Sequence, residues 1–168
     1  MPGSNTRDYV QDHGENLYRR SMYTFWKRAA PPASMDILGA PSREVCTVRR
    51  ERSNTPLQAL VTLNDPQFVE AARHLAQRAL KEGGQTSAER LMLMARRLVA
   101  RPFTAEESRI ALASLDDLLR YYKTHPAEAK ELLAVGESKP DPALDVPLLA
   151  AWTMLANQLM NLDEVLNK

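Results

Sequence analysis

Near its C-terminus the chain reads Asp145-Val-Pro-Leu-Leu-Ala-Ala-Trp-Thr-Met-Leu-Ala-Asn-Gln-Leu-Met-Asn-Leu162, with no charged residue after Asp145. An aspartate shortly before a proline is a common helix start, so a helix is predicted to begin at Asp145 or Val146. Its apolar residues cover two neighbouring faces, and so wide an apolar arc is typical of a helix buried between other helices. The first face carries Leu148, Trp152, Leu155, Leu159 and Leu162, and the second carries Leu149, Ala156 and Met160.

Earlier helices are predicted from their starting signals. A short polar side chain before a proline, or a threonine followed three residues later by glutamate, satisfies the free amides of a first turn. These signals stand at Asn54-Thr55-Pro56, Asp65-Pro66, Thr86-x-x-Glu89 and Thr104-x-x-Glu107, and a weaker helix is predicted over Pro126–Val135. The predicted stops are Gly83-Gly84, Arg101-Pro102, His125-Pro126 and Gly136. In the first of these helices, the residues Leu57, Leu60, Val61 and Asn64 fall on one face.

The N-terminal third has a different character. Leu17–Trp26 is rich in aromatic residues, which favours a short strand or extended segment, although a helical face also fits. Residues 29–54 contain four helix-breaking prolines and glycines and are predicted to be irregular, with a brief extended piece at Val45–Val48. The predicted fold class is therefore mainly α, an irregular bundle of five or six helices over residues 54–168. Residues 1–53 form an irregular, partly extended segment that is predicted to pack on this body.

Composition excludes several classes of protein. The 168 residues include 22 Lys and Arg against 21 Asp and Glu, so the net charge is +1 and no nucleic-acid partner is predicted. The single cysteine, Cys46, excludes an internal disulfide, a cysteine-rich zinc site and a C-x-x-C-H haem attachment. The chain contains no run of 18 apolar residues and no signal peptide, so no membrane span is predicted.

Motifs of known chemistry are absent from the sequence. It contains no glycine-rich phosphate loop, no G-x-S-x-G elbow and no H-E-x-x-H pair. His13, His74 and His125 lie far apart, and His74 and His125 are interpreted as a helix surface residue and a helix terminator. Cys46 is interpreted as an ordinary thiol. No catalytic residue and no metal ligand is therefore assigned.

Two groups of residues are candidates for binding. Arginine forks beside the free amides of a helix N-terminus favour anions, and Arg49, Arg50, Arg52, Asn54 and Thr55 combine these features. The competing interpretation is that the arginines pair with acidic residues of the body. Aromatic rings stack on sugars, and the group Tyr18, Tyr23, Phe25 and Trp26 could form such a platform, with Tyr23 and Trp26 as the selected binding candidates. For them the competing interpretation is core packing.

Several blocks of the sequence resemble a known family when taken together and in order. They are Gly14–Arg28, Cys46–Leu60, Leu63–Val69, Arg101–Glu107 and Ala151–Val165. The set resembles the planctomycete-specific domain of unknown function at the C-terminus of planctomycete-type cytochrome c proteins. The resemblance covers nearly the whole chain but only the last part of this C-terminal domain.

The resemblance implies a context more than a chemistry. Parent proteins of this family are exported, which implies a periplasmic or extracellular location, and their haem belongs to a separate upstream domain, so this chain is expected to hold no cofactor. The leading hypothesis is a non-catalytic C-terminal module that docks on the upstream domains of its parent or assists assembly. The alternative hypothesis is part of a polysaccharide-binding or polysaccharide-degrading site with an arginine-rich anion contact.

Overall fold

The computed structural model describes residues 10–26, 30–49 and 53–167 of the chain. Contacts divide the chain into two compact units, Met1–Val61 and Thr62–Lys168. The helices are α1 Ala33–Ile37, α2 Pro56–Asn64, α3 Pro66–Glu82, α4 Ser87–Leu98, α5 Ala105–Thr124, α6 Pro126–Leu133, α7 Val146–Met160 and α8 Asp163–Leu166. In these described ranges six helices have seven or more residues, so the expected mainly α class is confirmed.

The uncharged helix α7 lies at the centre of the Thr62–Lys168 unit. It packs against α3, α5, α6 and, more lightly, α4. Nine of its residues are buried, and the Trp152 side chain is only 1% exposed. Both faces of the predicted helix are therefore covered, as its wide apolar arc indicated. Around it lies one apolar core, whose remaining buried members are Ala72, Ala76, Ala79, Leu91, Met94, Ala111, Leu115, Tyr122, Ala129 and Leu133.

The predicted helix starts of this unit are confirmed atom by atom. The Asp65 carboxylate accepts a hydrogen bond from the Gln67 amide, and the Asp145 carboxylate accepts one from the Leu148 amide, both at 2.9 Å. The threonines of α4 and α5 each form a reciprocal capping box with the glutamate three residues on. Each cap satisfies amides that have no partner inside the helix.

The helix ends agree with the sequence analysis at most positions. Gly83 caps α3, and His125 separates α5 from α6, with its ring stacked on Tyr121 at 4.3 Å between centroids. Two ends differ. Helix α4 stops at Leu98, before the predicted stop at Arg101-Pro102, because Ala100 adopts a positive φ of 60°. Helix α7 ends at Met160, so Leu162 is not on its face but precedes the extra turn α8.

Helix α2 buries two polar side chains and exposes its leucines. Gln58 and Thr62 are buried, whereas Leu57 and Leu60 are each almost 60% exposed. The Thr62 hydroxyl donates to Asn161 Oδ1 at 2.8 Å, which gives it a partner away from solvent. Leu57 and Leu60 of the face that the sequence marked as apolar are therefore exposed, whereas Val61 of the same face is half-buried.

The Met1–Val61 unit departs most from the sequence analysis. Where a strand or a helix was expected over Leu17–Trp26, the structure has single 3-10 turns at Gly14–Asn16 and Ser21–Tyr23. Within the segment interpreted as irregular, Ala33–Ile37 forms the short helix α1, and Val45–Val48 forms no strand. A five-residue helix is too short to show a periodic pattern. Of the described residues in this unit, only Pro32 and Gln58 are buried.

An ion-pair network joins α5 to α8. The Arg101 guanidinium donates to both Glu107 oxygens, at 2.9 and 2.8 Å, and to both Glu164 oxygens, at 3.1 and 2.7 Å. Glu107 also accepts from the Thr104 amide at 2.7 Å as part of the capping box. These donors, Arg101 first, lower the pKa of Glu107 to about 2.

Because the pKa of Glu107 is lower in the folded protein than in the unfolded chain, the carboxylate stabilises the fold above the unfolded pKa of about 4.5. That contribution is lost as the pH falls towards 2. We expect Glu107→Gln to destabilise the protein at pH 7 and to differ progressively less from wild type between pH 4.5 and 2. Urea titrations across this pH range measure the free energy of unfolding of both proteins, with Glu106→Gln in the same turn as the control. A difference that is independent of pH would contradict the role of the charge.

Truncation of Trp152 tests the central position of α7. Trp152→Ala leaves a large cavity in the middle of the core, and we expect a loss of ~3–5 kcal/mol in the free energy of unfolding. Tyr121→Ala removes a ring that is 44% exposed and should cost far less. Urea denaturation of both variants measures the difference. Equal losses would show that α7 is not the centre of the core.

Candidate functional site

The two aromatic candidates have separate cationic partners. Tyr23 is exposed, and the Arg20 guanidinium carbon lies 5.9 Å from the centroid of its ring. Trp26 is half-buried, and the Arg43 guanidinium carbon lies 4.9 Å from its ring centroid. The exposure of Tyr23 shows that the interpretation as a core residue is wrong for this ring, whereas half-buried Trp26 packs against Arg43. The structure instead favours surface contacts for this segment.

Arg43 and Trp26 belong to a concavity in the Met1–Val61 unit. Its volume is about 630 Å³, within the range of ligand-binding clefts. The Arg43 Nη2 donates to the Ser21 carbonyl oxygen at 2.9 Å, which fixes the guanidinium over the indole ring. Arg43 has a positive φ of 63°, an uncommon conformation for a residue with a side chain. The concavity is lined by Thr24, Phe25, Trp26, Ser42, Arg43 and Glu44.

The arginine-rich candidates are only partly described. Arg50 and Arg52 lie outside the described residues, and Arg49 is exposed. Asn54 and Thr55 are also exposed at the start of α2. The Thr55 hydroxyl accepts from the Gln58 amide at 3.3 Å, and the Thr55 amide donates to Gln58 Oε1 at 2.9 Å. Thr55 is thus a helix cap whose hydroxyl is engaged by its own helix.

Gln58 extends this cap into a polar junction of the Met1–Val61 unit. Its side-chain amide donates to the Ser53 hydroxyl at 2.7 Å and to the Ile37 carbonyl oxygen at 3.1 Å. The end of α1 and the start of α2 are therefore joined by one buried glutamine. The capping-box spacing Thr55-x-x-Gln58 could have identified it, but the sequence analysis used only the short polar side chains of Asn54 and Thr55 before Pro56.

The most buried charged groups lie on α3. Glu70 and Arg73 are each 1% exposed and form an ion pair at 3.3 Å. The Glu70 carboxylate also accepts from the Glu137 amide at 3.0 Å and from the Ser138 amide at 2.7 Å. Arg73 donates to the carbonyl oxygens of Leu133 and Ser138. The pair therefore holds the connector between α6 and α7 against α3.

Close packing in this connector requires a glycine. Gly136 has a positive φ of 95°, and a Cβ there would collide with the Glu70 carboxylate. The sequence analysis had placed a helix stop at Gly136 and had no reason to associate it with Glu70. The spacing of Glu70, Arg73 and His74 at i, i+3 and i+4 was visible in the sequence, but their partners sixty residues away were not.

Ser138, His74 and Glu70 superficially suggest a nucleophile, a base and an acid. His74 Nε2 lies 2.8 Å from the Ser138 hydroxyl oxygen, but the Glu70 carboxylate approaches the same ring nitrogen, at 3.8 Å. In a catalytic triad the acid holds the other ring nitrogen. The Ser138 hydroxyl already donates to Glu70 and accepts from Arg73 at 2.7 Å. These hydrogen bonds give Ser138 a structural role, and its hydroxyl is not positioned as an activated nucleophile.

Other chemistry-bearing groups lie apart. Cys46 is a free, exposed thiol. In the described part of the chain no group of three or more His, Cys, Asp or Glu residues is placed to hold a metal ion. None of the described helices is long and apolar enough to cross a membrane.

A family model described as PSD1, protein of unknown function (DUF1553), matches residues 1–115. The chain belongs to the PSD1 family. The resemblance to a domain of unknown function is thereby confirmed, and the cytochrome context remains a prediction. No curated protein and no solved structure matches the chain. The part that matches the PSD1 family contains both the Trp26–Arg43 concavity and the Glu70–Arg73 pair.

The buried ion pair of this PSD1-family chain gives a stability prediction. Glu70→Gln leaves Arg73 buried without a counter-charge, and we expect a loss of about 3–5 kcal/mol. The double variant Glu70→Leu/Arg73→Met removes both charges and should lose less than Glu70→Gln alone. Urea denaturation measures both.

Glu82→Gln is the matched control on the same helix. Glu82 pairs with Arg78 at 3.4 Å on the surface, where such pairs contribute less than about 1 kcal/mol. If Glu70→Gln lowered the free energy of unfolding as little as Glu82→Gln, the Glu70–Arg73 pair would not hold the connector against α3.

Proposed function

We propose that this chain is a non-catalytic docking or assembly module, the C-terminal part of an exported, cytochrome-linked protein. One observation carries the proposal. The Met1–Val61 unit exposes large apolar side chains while its described residues bury only Pro32 and Gln58. The exposed side chains are Val10, Tyr18, Met22, Tyr23, Phe25, Val45, Val48, Leu57 and Leu60.

The contrast with the other unit supports this proposal. The Thr62–Lys168 unit has a closed apolar core around α7, and its described part exposes only Leu63, Ile110, Tyr121 and Leu162 among large apolar residues. A surface that leaves many apolar side chains uncovered is characteristic of an interaction site. The uncovered groups are concentrated in one unit, so the interface is proposed there.

Helix α2 supplies the most defined element of the proposed interface. Leu57 and Leu60 lie three residues apart on one helix face and are both exposed. The polar face of the same helix is already engaged, through Gln58 and Thr62. An apolar face on a helix fixed in this way suits docking of a partner that buries both leucines.

The proposed partner is the preceding part of the same polypeptide. The family resemblance supports upstream domains, one of which carries the haem, so these residues hold no cofactor under this proposal. It also supports a periplasmic or extracellular location.

Affinity for the upstream domains, produced separately, tests the proposal. We expect the double variant Leu57→Ser/Leu60→Ser to weaken the association at least tenfold, about 1.4 kcal/mol, by removing two apolar anchors. Isothermal titration calorimetry measures the affinity. Ile110→Ser, which alters a residue of equal exposure on α5, is the control and should leave the affinity unchanged. Absence of association, or equal loss in both variants, would contradict the proposal.

A further inference from the structure

Arg43 is held in place by two contacts that leave most of its guanidinium available. The group lies over the Trp26 ring, and one Nη donates to the Ser21 carbonyl oxygen. Among the described residues no carboxylate forms an ion pair with it, because each ion pair of the described chain involves other groups. Arg43 is therefore a fixed planar cation, and most of its five N–H donors remain available for a ligand.

The walls of the concavity add the other features of a ligand site. Phe25 is 62% exposed and lines the same concavity as Trp26, so part of its aromatic ring is accessible. Hydroxyl groups come from Thr24 and Ser42 on the same lining. A fixed guanidinium, an open ring and nearby hydroxyls together match a ligand with an acidic group, a flat C–H face and hydroxyls of its own.

We infer that this concavity binds an acidic sugar unit, with its anionic group on Arg43 and the C–H face of its ring against Phe25. Trp26 positions the arginine, and the hydroxyls of Thr24 and Ser42 receive hydrogen bonds from the sugar. The anionic contact is thus Arg43, a residue that the sequence analysis did not select, and the inference does not depend on Arg49, Arg50 or Arg52. It is also independent of the docking surface on α2.

The anion on the sugar is a carboxylate or a sulfate, since a guanidinium fork accommodates both. Trigalacturonate and a sulfated galactose trisaccharide distinguish them, and neutral galactotriose serves as the uncharged probe. We expect calorimetric binding of one or both acidic probes, weakened by salt, and none of the neutral one. Trp152 is buried, so a change in intrinsic fluorescence on binding reports on Trp26. Equal binding of the neutral probe, or no binding of any probe, would overturn the inference.

Variants locate the site. Arg43→Asn removes the cation while asparagine tolerates the positive φ, and we expect at least a tenfold loss of affinity for the acidic probe. Phe25→Ala removes an exposed ring without altering Arg43 and should also weaken binding, which keeps the test valid if Arg43→Asn perturbs folding. Arg96→Gln removes an exposed charge on α4 and is the control. Binding that survives both Arg43→Asn and Phe25→Ala would place the ligand elsewhere and overturn the inference.

Discussion

Burial of α7 is the constraint on which the rest of the helical unit depends. A helix with so wide an apolar arc is stable in water only when that arc is covered, so its neighbours must each present an apolar stripe to it. Ala150, Ala151 and Ala156 are fully buried, and their small side chains allow neighbouring helices to approach closely. The stripes of α3, α5 and α6 follow from this requirement, as does the closed core.

A buried ion pair fixes the route by which the chain enters α7. The connector after α6 carries amides and a hydroxyl that converge on Glu70, while Arg73 binds carbonyl oxygens of the same segment. Each buried charge is thus offset by the other and by backbone groups, which makes the pair tolerable in a low-dielectric interior. The Ser138 hydroxyl is engaged by both members of this pair, which explains why Ser138 and His74 form no catalytic arrangement.

Local signals made much of the fold predictable. The capping boxes at Thr86 and Thr104 and the apolar arc of α7 each depend on residues within one or two turns, and all were confirmed. Contacts between distant residues were not accessible, so the pairing of Glu70 with Ser138 and of Arg43 with Trp26 was missed. The burial of Gln58 in place of Leu57 also escaped prediction, because an apolar face without a partner has the same pattern as one that is covered.

The Thr62–Lys168 unit has an apolar core of its own, whereas the described residues of the Met1–Val61 unit leave many apolar side chains exposed. Amide hydrogen exchange of the free chain tests this difference most directly, because exchange reports the free energy of local opening. The amides of α3 and α7 are expected to exchange only through global unfolding, and those of α1 through local opening of much lower free energy. Protection of α1 equal to that of α7 would contradict the account.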